Sequence, residues 1–211
     1  MKKSIVLLSS GLDSTVNLAM AKKHTKVILA LTFDYGQASS KKEILNSKKL
    51  CKFFKVKYKI IKLDFYKGLI KDKKIPTIKL KDLNNIKLTK KTAQKIWFPN
   101  RNALFINIAA AFAEKLKADI IIAGFNKEEA KTFPDNSKEF VNCINRTLKY
   151  SALSGIIAKS YTQDLTKKEI VKLGIKLNAP FKYIWPCYKG GKKPCGACES
   201  CVRYLRALKE N

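Results

Sequence analysis

A chain of 211 residues with 46% hydrophobic content holds enough apolar material for one sizeable core. No apolar run approaches the ~20 residues of a membrane span, and the run Ile5 to Leu8 behind the basic start is too short for a secretory leader, so the sequence reads as cytoplasmic with no membrane partner. The net charge of +28 invites a nucleic-acid reading, yet only Arg101, Arg146, Arg203 and Arg206 among 44 basic residues are arginine; scattered lysine reads as a solvated surface or a coding bias, with no stable nucleic-acid partner expected.

In chain order, residues 4–8 (SIVLL) predict a buried strand, followed by the loop SSGLDS and a helix over 14–23. A second strand over 26–33 leads through DYGQ into a basic helix at 41–54, and KYKIIKL (57–63) predicts a third strand. The pattern loosens from 64 to 95, an excursion with room for a short helix. After FPNRN, the residues Leu104, Phe105, Ile108, Phe112 and Leu116 recur at helical spacing, and ADIIIAG (118–124) predicts a fourth strand. A last helix opens at Thr166, with Glu169 completing a capping box, and runs to about 177. Continuous apolar strands alternating with helices predict an α/β fold: a parallel sheet with helices on both faces, Rossmann-like, with ligands beyond the carboxyl ends of the strands.

SSGLDS joins a buried strand to a helix and crowds Ser9, Ser10, Gly11, Asp13 and Ser14 into one turn. Bared amides at the positive end of a helix dipole, helped by hydroxyls, make an anion cradle. The competing reading is an ordinary turn in which Asp13 or Ser14 caps the helix. The glycine–lysine–hydroxyl arrangement of a Walker loop is missing.

Cys187, Cys195, Cys198 and Cys201 are separated by seven, two and two residues. Short spacers let thiolates converge on one tetrahedral ion, with Gly190 and Gly191 available to reverse the longer loop. An iron–sulfur cluster uses the same ligands, and a persulfide-forming cysteine explains one thiol of the four; the closed set is read as structural Zn2+. Cys51 and Cys143, single thiols in helical patterns, are expected to be buried, and His24 receives no role.

SSGLDS resembles the pyrophosphate loop of the N-type ATP pyrophosphatases (the PP-loop superfamily), with Ser10 where that family more often has glycine. FDYGQ, FPNRN, GFN, the pair Pro134–Asp135, TKKEIVKLG and WPCYKGG…CGACESC then occur in the order found in the 7-cyano-7-deazaguanine synthase family of queuosine and archaeosine biosynthesis. The resemblance implies a carbon–nitrogen ligase that uses ATP and Mg2+ to convert 7-carboxy-7-deazaguanine and ammonia into the nitrile, and it implies a homodimer. It places the nucleotide on Leu8, Ser9, Ser10, Gly11, Leu12, Asp13, Ser14 and Thr15. Catalytic roles fall to Ser10, Asp13, Ser14 and Arg101, and substrate contacts to Asp34, Tyr35, Gln37, Arg101, Asn102, Asn126 and Asp135. Residues 1–180 form the expected ATP-pyrophosphatase unit and 181–211 a four-cysteine segment packed on it.

Glu129, Ala130, Lys131, Thr132 and Phe133 depart from the family's usual run before the proline–aspartate pair. This leaves open a relative that adenylates a different carboxylate. A tRNA sulfur transferase of the same fold and a non-enzymatic nucleic-acid-binding zinc module are the rival readings.

Overall fold

The computed structural model describes residues 1–69 and 74–211. Among these residues five strands, β1 (Lys3–Leu7), β2 (Lys26–Asp34), β3 (Tyr58–Lys62), β4 (Ile120–Ile122) and β5 (Ile157–Lys159), pair in parallel in the order β3-β2-β1-β4-β5. Alternation along β1 explains why both faces are covered. Ile5 belongs to a cluster with Ile106, Ala109 and Ala113 of α5 (Arg101–Leu116) and Leu148 of α6 (Lys138–Ser151). Its neighbour Val6 points the other way, to Leu18 and Ala21 of α1 (Leu12–His24) and Leu50 of α2 (Ser40–Phe54).

The excursion carries more helix than its sequence pattern predicts: one turn, α3 (Asp64–Lys67), a 3-10 turn Leu80–Asn84 and the eleven-residue α4 (Ile86–Ile96). Residues 70–73 of that excursion lie outside the described residues. The fourth strand is shorter than expected, and β5, three residues long, is too brief to announce itself by periodicity. The capped helix α7 (Lys167–Lys176) begins as predicted: Thr166 Oγ1 accepts from Glu169 N, and Glu169 Oε2 accepts from Thr166 N at 2.8 Å.

That helix is not the last, however. A final helix α8 (Glu199–Lys209) follows with Cys198 as its N-cap. Its residue Ala207, together with Ile184, packs among Leu12, Val16, Ile170 and Val171, so the cysteine segment shares a core with α1 and α7. Among the described residues no helix is long and apolar enough to cross a membrane.

Candidate active site and metal centre

The strand order reverses between β1 and β4, and at the carboxyl edge there opens a cavity of ≈ 420 Å³. The turn after β1 forms its floor. Gly11 caps α1 in extended conformation without a side-chain cap, leaving first-turn amides to the cavity. The hydroxyls of Ser9 and Ser14 lie 3.1 Å apart, and the Ser9 amide donates to Ser14 Oγ at 3.3 Å.

Ser10 behaves differently from its neighbours. Its φ of 57° lies in the left-handed region that favours glycine. Its side chain is fully buried away from the cavity, and its carbonyl accepts from the Trp185 amide at 2.8 Å. Among the described residues its hydroxyl has no hydrogen-bond partner, so the structure sets Ser10 behind the cavity lining and not on it. Thr15 is likewise buried off the cavity, whereas Leu8, Ser9, Gly11, Leu12, Asp13 and Ser14 line it.

Asp13 sits at the centre of a charge cluster absent from the expectations. Its Oδ2 accepts from Lys167 Nζ at 2.5 Å, and the same ammonium lies 2.7 Å from Glu129 Oε1. Asp13 Oδ1 has no hydrogen-bond partner among the described residues. Burial pushes the Asp13 carboxyl up to about 6 against the pull of Lys167. Burial also works to raise Glu129, but there the Lys167 charge and hydrogen bond win and hold it below the usual carboxylate range. Glu128 anchors the cluster from behind, accepting from the Lys167 amide at 2.9 Å and from Arg206 Nη2 at 2.7 Å and Arg203 Nη1 at 3.0 Å on α8.

Of the residues expected to contact a substrate, Tyr35, Gln37, Arg101 and Asn102 line the cavity; Asp34, Asn126 and Asp135 do not. Arg101 Nη1 donates to Tyr35 Oη at 3.2 Å, and its guanidinium lies 5.8 and 5.5 Å from the ring centres of Tyr35 and Phe98. Asp34 Oδ1 accepts from the Gly36 amide and shapes the turn. Fully buried Asn126 accepts from the amides of Glu128 and Glu129 at 3.0 and 2.9 Å, building the loop that carries the acidic pair. The Asp135 carboxylate takes a bond from Asn136 instead of entering the cavity. Lys167, Glu129, Glu43 and Trp185 line the cavity without having been singled out for it. The one local signal was the Thr166 cap, which fixes where α7 and hence Lys167 begin.

The thiols of Cys187, Cys195, Cys198 and Cys201 converge, all within 4.8 Å of one another. The amides of Lys189 and Cys195 donate to Cys187 Sγ, and that of Cys198 to Cys195 Sγ. The bond from Cys201 pulls the Cys198 thiol down to about 5, against the burial that raises it. Gly190 does not reverse the loop by a positive φ. It is needed for space, since a Cβ there would lie 1.9 Å from Ala38 O; the left-handed glycine of the site is Gly196 at φ 69°. Cys51 is buried as expected, but Cys143 is exposed on the outer side of α6.

Residues 3–211 match the family described as queuosine biosynthesis protein QueC. A 7-cyano-7-deazaguanine synthase from Carboxydothermus hydrogenoformans is 52% identical over 98% of this chain and 98% of its own length. One from Methanosarcina mazei is 41% identical over 98% and 94%. Among solved structures, a 4-thiouridine synthetase in complex with RNA and bound ATP aligns with a TM-score of 0.53 at 16% identity, covering 99% of this chain and 50% of that one. That likeness speaks to the fold alone.

Proposed function

This chain belongs to the QueC family of 7-cyano-7-deazaguanine synthases, and from that membership we propose that its cavity ligates ammonia to 7-carboxy-7-deazaguanine at the expense of ATP. The observation that carries the reading is the full-length family match joined to an anion-ready turn on the cavity floor.

The chemical obstacle is the leaving group. A carboxylate oxygen does not depart when ammonia attacks; transfer of AMP to that oxygen, with loss of pyrophosphate, makes a mixed anhydride that does. Ammonia then displaces AMP and leaves an amide. A second adenylation on the amide oxygen, followed by loss of AMP and a proton, gives the nitrile.

The protein's part is to hold and neutralise charge. The amides after Gly11 and the hydroxyls of Ser9 and Ser14 receive the pyrophosphate oxygens. Arg101, fixed over two rings, suits the substrate carboxylate. The buried, unpartnered Oδ1 of Asp13 suits a magnesium ion brought in with the triphosphate, which supplies charge neutralisation there.

We assign Zn2+ to Cys187, Cys195, Cys198 and Cys201, whose four sulfurs leave no position for water; the ion is structural and staples segment 181–211 as one wall of the cavity. The family relation implies a homodimer, which sedimentation measures. Incubation with the carboxylate, ATP, magnesium and ammonium tests the reaction: AMP, pyrophosphate and the nitrile are expected, and absence of the nitrile under all conditions removes the proposal.

A further inference from the structure

We propose that Glu43 reads the guanine-like edge of the substrate and so sets specificity for a 2-amino-deazapurine, an inference that rests on the reaction assigned above. Glu43 lies in the first turn of α2 and lines the cavity beside Tyr35, Gln37, Ser39 and Arg101. Ser39 Oγ donates to its Oε1 at 2.5 Å and Gln37 Nε2 to its Oε2 at 3.1 Å. With one donor on each oxygen the carboxylate is held in orientation, and each oxygen keeps acceptor capacity. Gln37 is itself spent as a scaffold: its Oε1 accepts from the Tyr35 amide and its Nε2 also donates to Phe33 O, both at 3.0 Å.

Among the described residues Glu43 makes no ion pair, whereas Asp13, Glu128, Glu129 and Glu199 all do. Burial raises its carboxyl above the ordinary range, against the two hydrogen bonds that lower it. Arg101 adds a favourable charge at longer range without pairing with it. An oriented carboxylate outside any ion pair in a cavity is complementary to a ligand presenting two parallel N–H donors. The amidine edge of a deazaguanine has those donors. Adenine's pairing edge offers one donor and one acceptor, for which an amide is the complement, so Glu43 suits the acid substrate and not the nucleotide.

The arrangement agrees. Arg101 donates to the hydroxyl end of Tyr35, while Glu43 is tied through Gln37 to that residue's backbone end, so cation and carboxylate are anchored to opposite ends of one tyrosine. A deazaguanine with a 7-carboxylate likewise carries its anion and its amidine on opposite sides of a flat bicycle.

The test compares the substrate with its analogue lacking the 2-amino group, by calorimetric binding to the zinc-replete chain and by kcat/KM. The expected wild-type preference for the amino compound is about 10–100-fold. Glu43→Gln should abolish that preference while leaving the KM values for ATP and ammonium unchanged. A preserved preference in Glu43→Gln, or a rise confined to the ATP or ammonium KM, overturns the assignment, the latter because the carboxylate then serves the other reactant. Equal binding of both compounds by the wild type also overturns it. Discrimination through Glu43 without nitrile formation faults the reaction instead. Should Glu43→Gln fail to fold, Ser39→Ala keeps the charge but frees one oxygen, and a smaller loss of preference is then required.

Discussion

Lys167 Nζ lies 2.5 Å from Asp13 Oδ2, although the two residues stand 154 positions apart in the chain. The contact joins the start of α7 to the start of α1, and the same ammonium reaches Glu129 on the loop after β4. Three loops at one sheet edge thus share a single buried cation.

Lys167→Met should therefore destabilise the fold by about 3–5 kcal/mol, the range for leaving buried charge unpaired. Without the ammonium, both Asp13 and Glu129 have folded-state pKa values above their unfolded ones. Stability from such groups is fully present below the unfolded carboxylate pKa of ~4 and is lost as pH rises through the folded value. The deficit against wild type at the same pH should accordingly be small near pH 5 and largest near pH 8. Denaturant unfolding of both proteins at the two pH values measures it; a deficit that grows toward acid contradicts the cluster.

The local parts of this site were legible in the sequence, and the parts made by distant approach were not. The turn after β1, the Thr166 cap and the cysteine spacing are each encoded within a few residues, and each appears where expected. The α5 helix was legible because its apolar residues recur at helical spacing; α8 was not, because two of its buried positions are Cys201, which reads as a ligand, and Arg203, a charged residue that adds nothing to an apolar pattern. Arg203 is buried by Glu128 and Glu199, one of them 75 residues away. Glu43 and Lys167 look like surface charges on basic helices until the loops close around them. Cys51 and Cys143 show the same limit from the other side, since similar single-thiol contexts lead to one buried and one exposed residue.

Arg101→Lys keeps the charge but loses the planar fork and its approach to the Tyr35 and Phe98 rings. The expected loss is about 10–100-fold in kcat/KM for the deazapurine carboxylate, the scale of one charged hydrogen-bonding contact. Nucleotide affinity at the turn after β1 should change far less. Steady-state kinetics with a parallel ATP titration separates the two; an equal loss in both relocates Arg101 to the triphosphate.

Elemental analysis should find one zinc per chain and no labile sulfide, which also decides against an iron–sulfur sulfur transferase. Cys198→Ser removes the N-cap ligand of α8, so metal content should fall and proteolysis near residue 190 should accelerate. The Trp185 amide binds Ser10 O at 2.8 Å, which ties this segment to the nucleotide turn. ATP affinity should therefore drop along with the metal; full ATP affinity in metal-free protein excludes that link.

Gly124, just beyond β4, tests the closeness of the loops directly. A Cβ there would stand 2.8 Å from Ser14 N and 3.0 Å from Ser14 Cα, backbone atoms that cannot swing aside. Gly124→Ala must push the loop after β4 away from the first turn of α1, costing about 1–3 kcal/mol, the usual scale of overpacking. Since Ser14 is part of the proposed cradle, ATP binding should suffer more than stability does. Gly155 supplies the control: its φ of 63° resists alanine, but open space surrounds it. Gly155→Ala should cost about 1–2 kcal/mol through backbone strain and leave ATP affinity intact. Equal nucleotide affinity in the two variants would mean that the contact between the β4 loop and α1 does not shape the cradle.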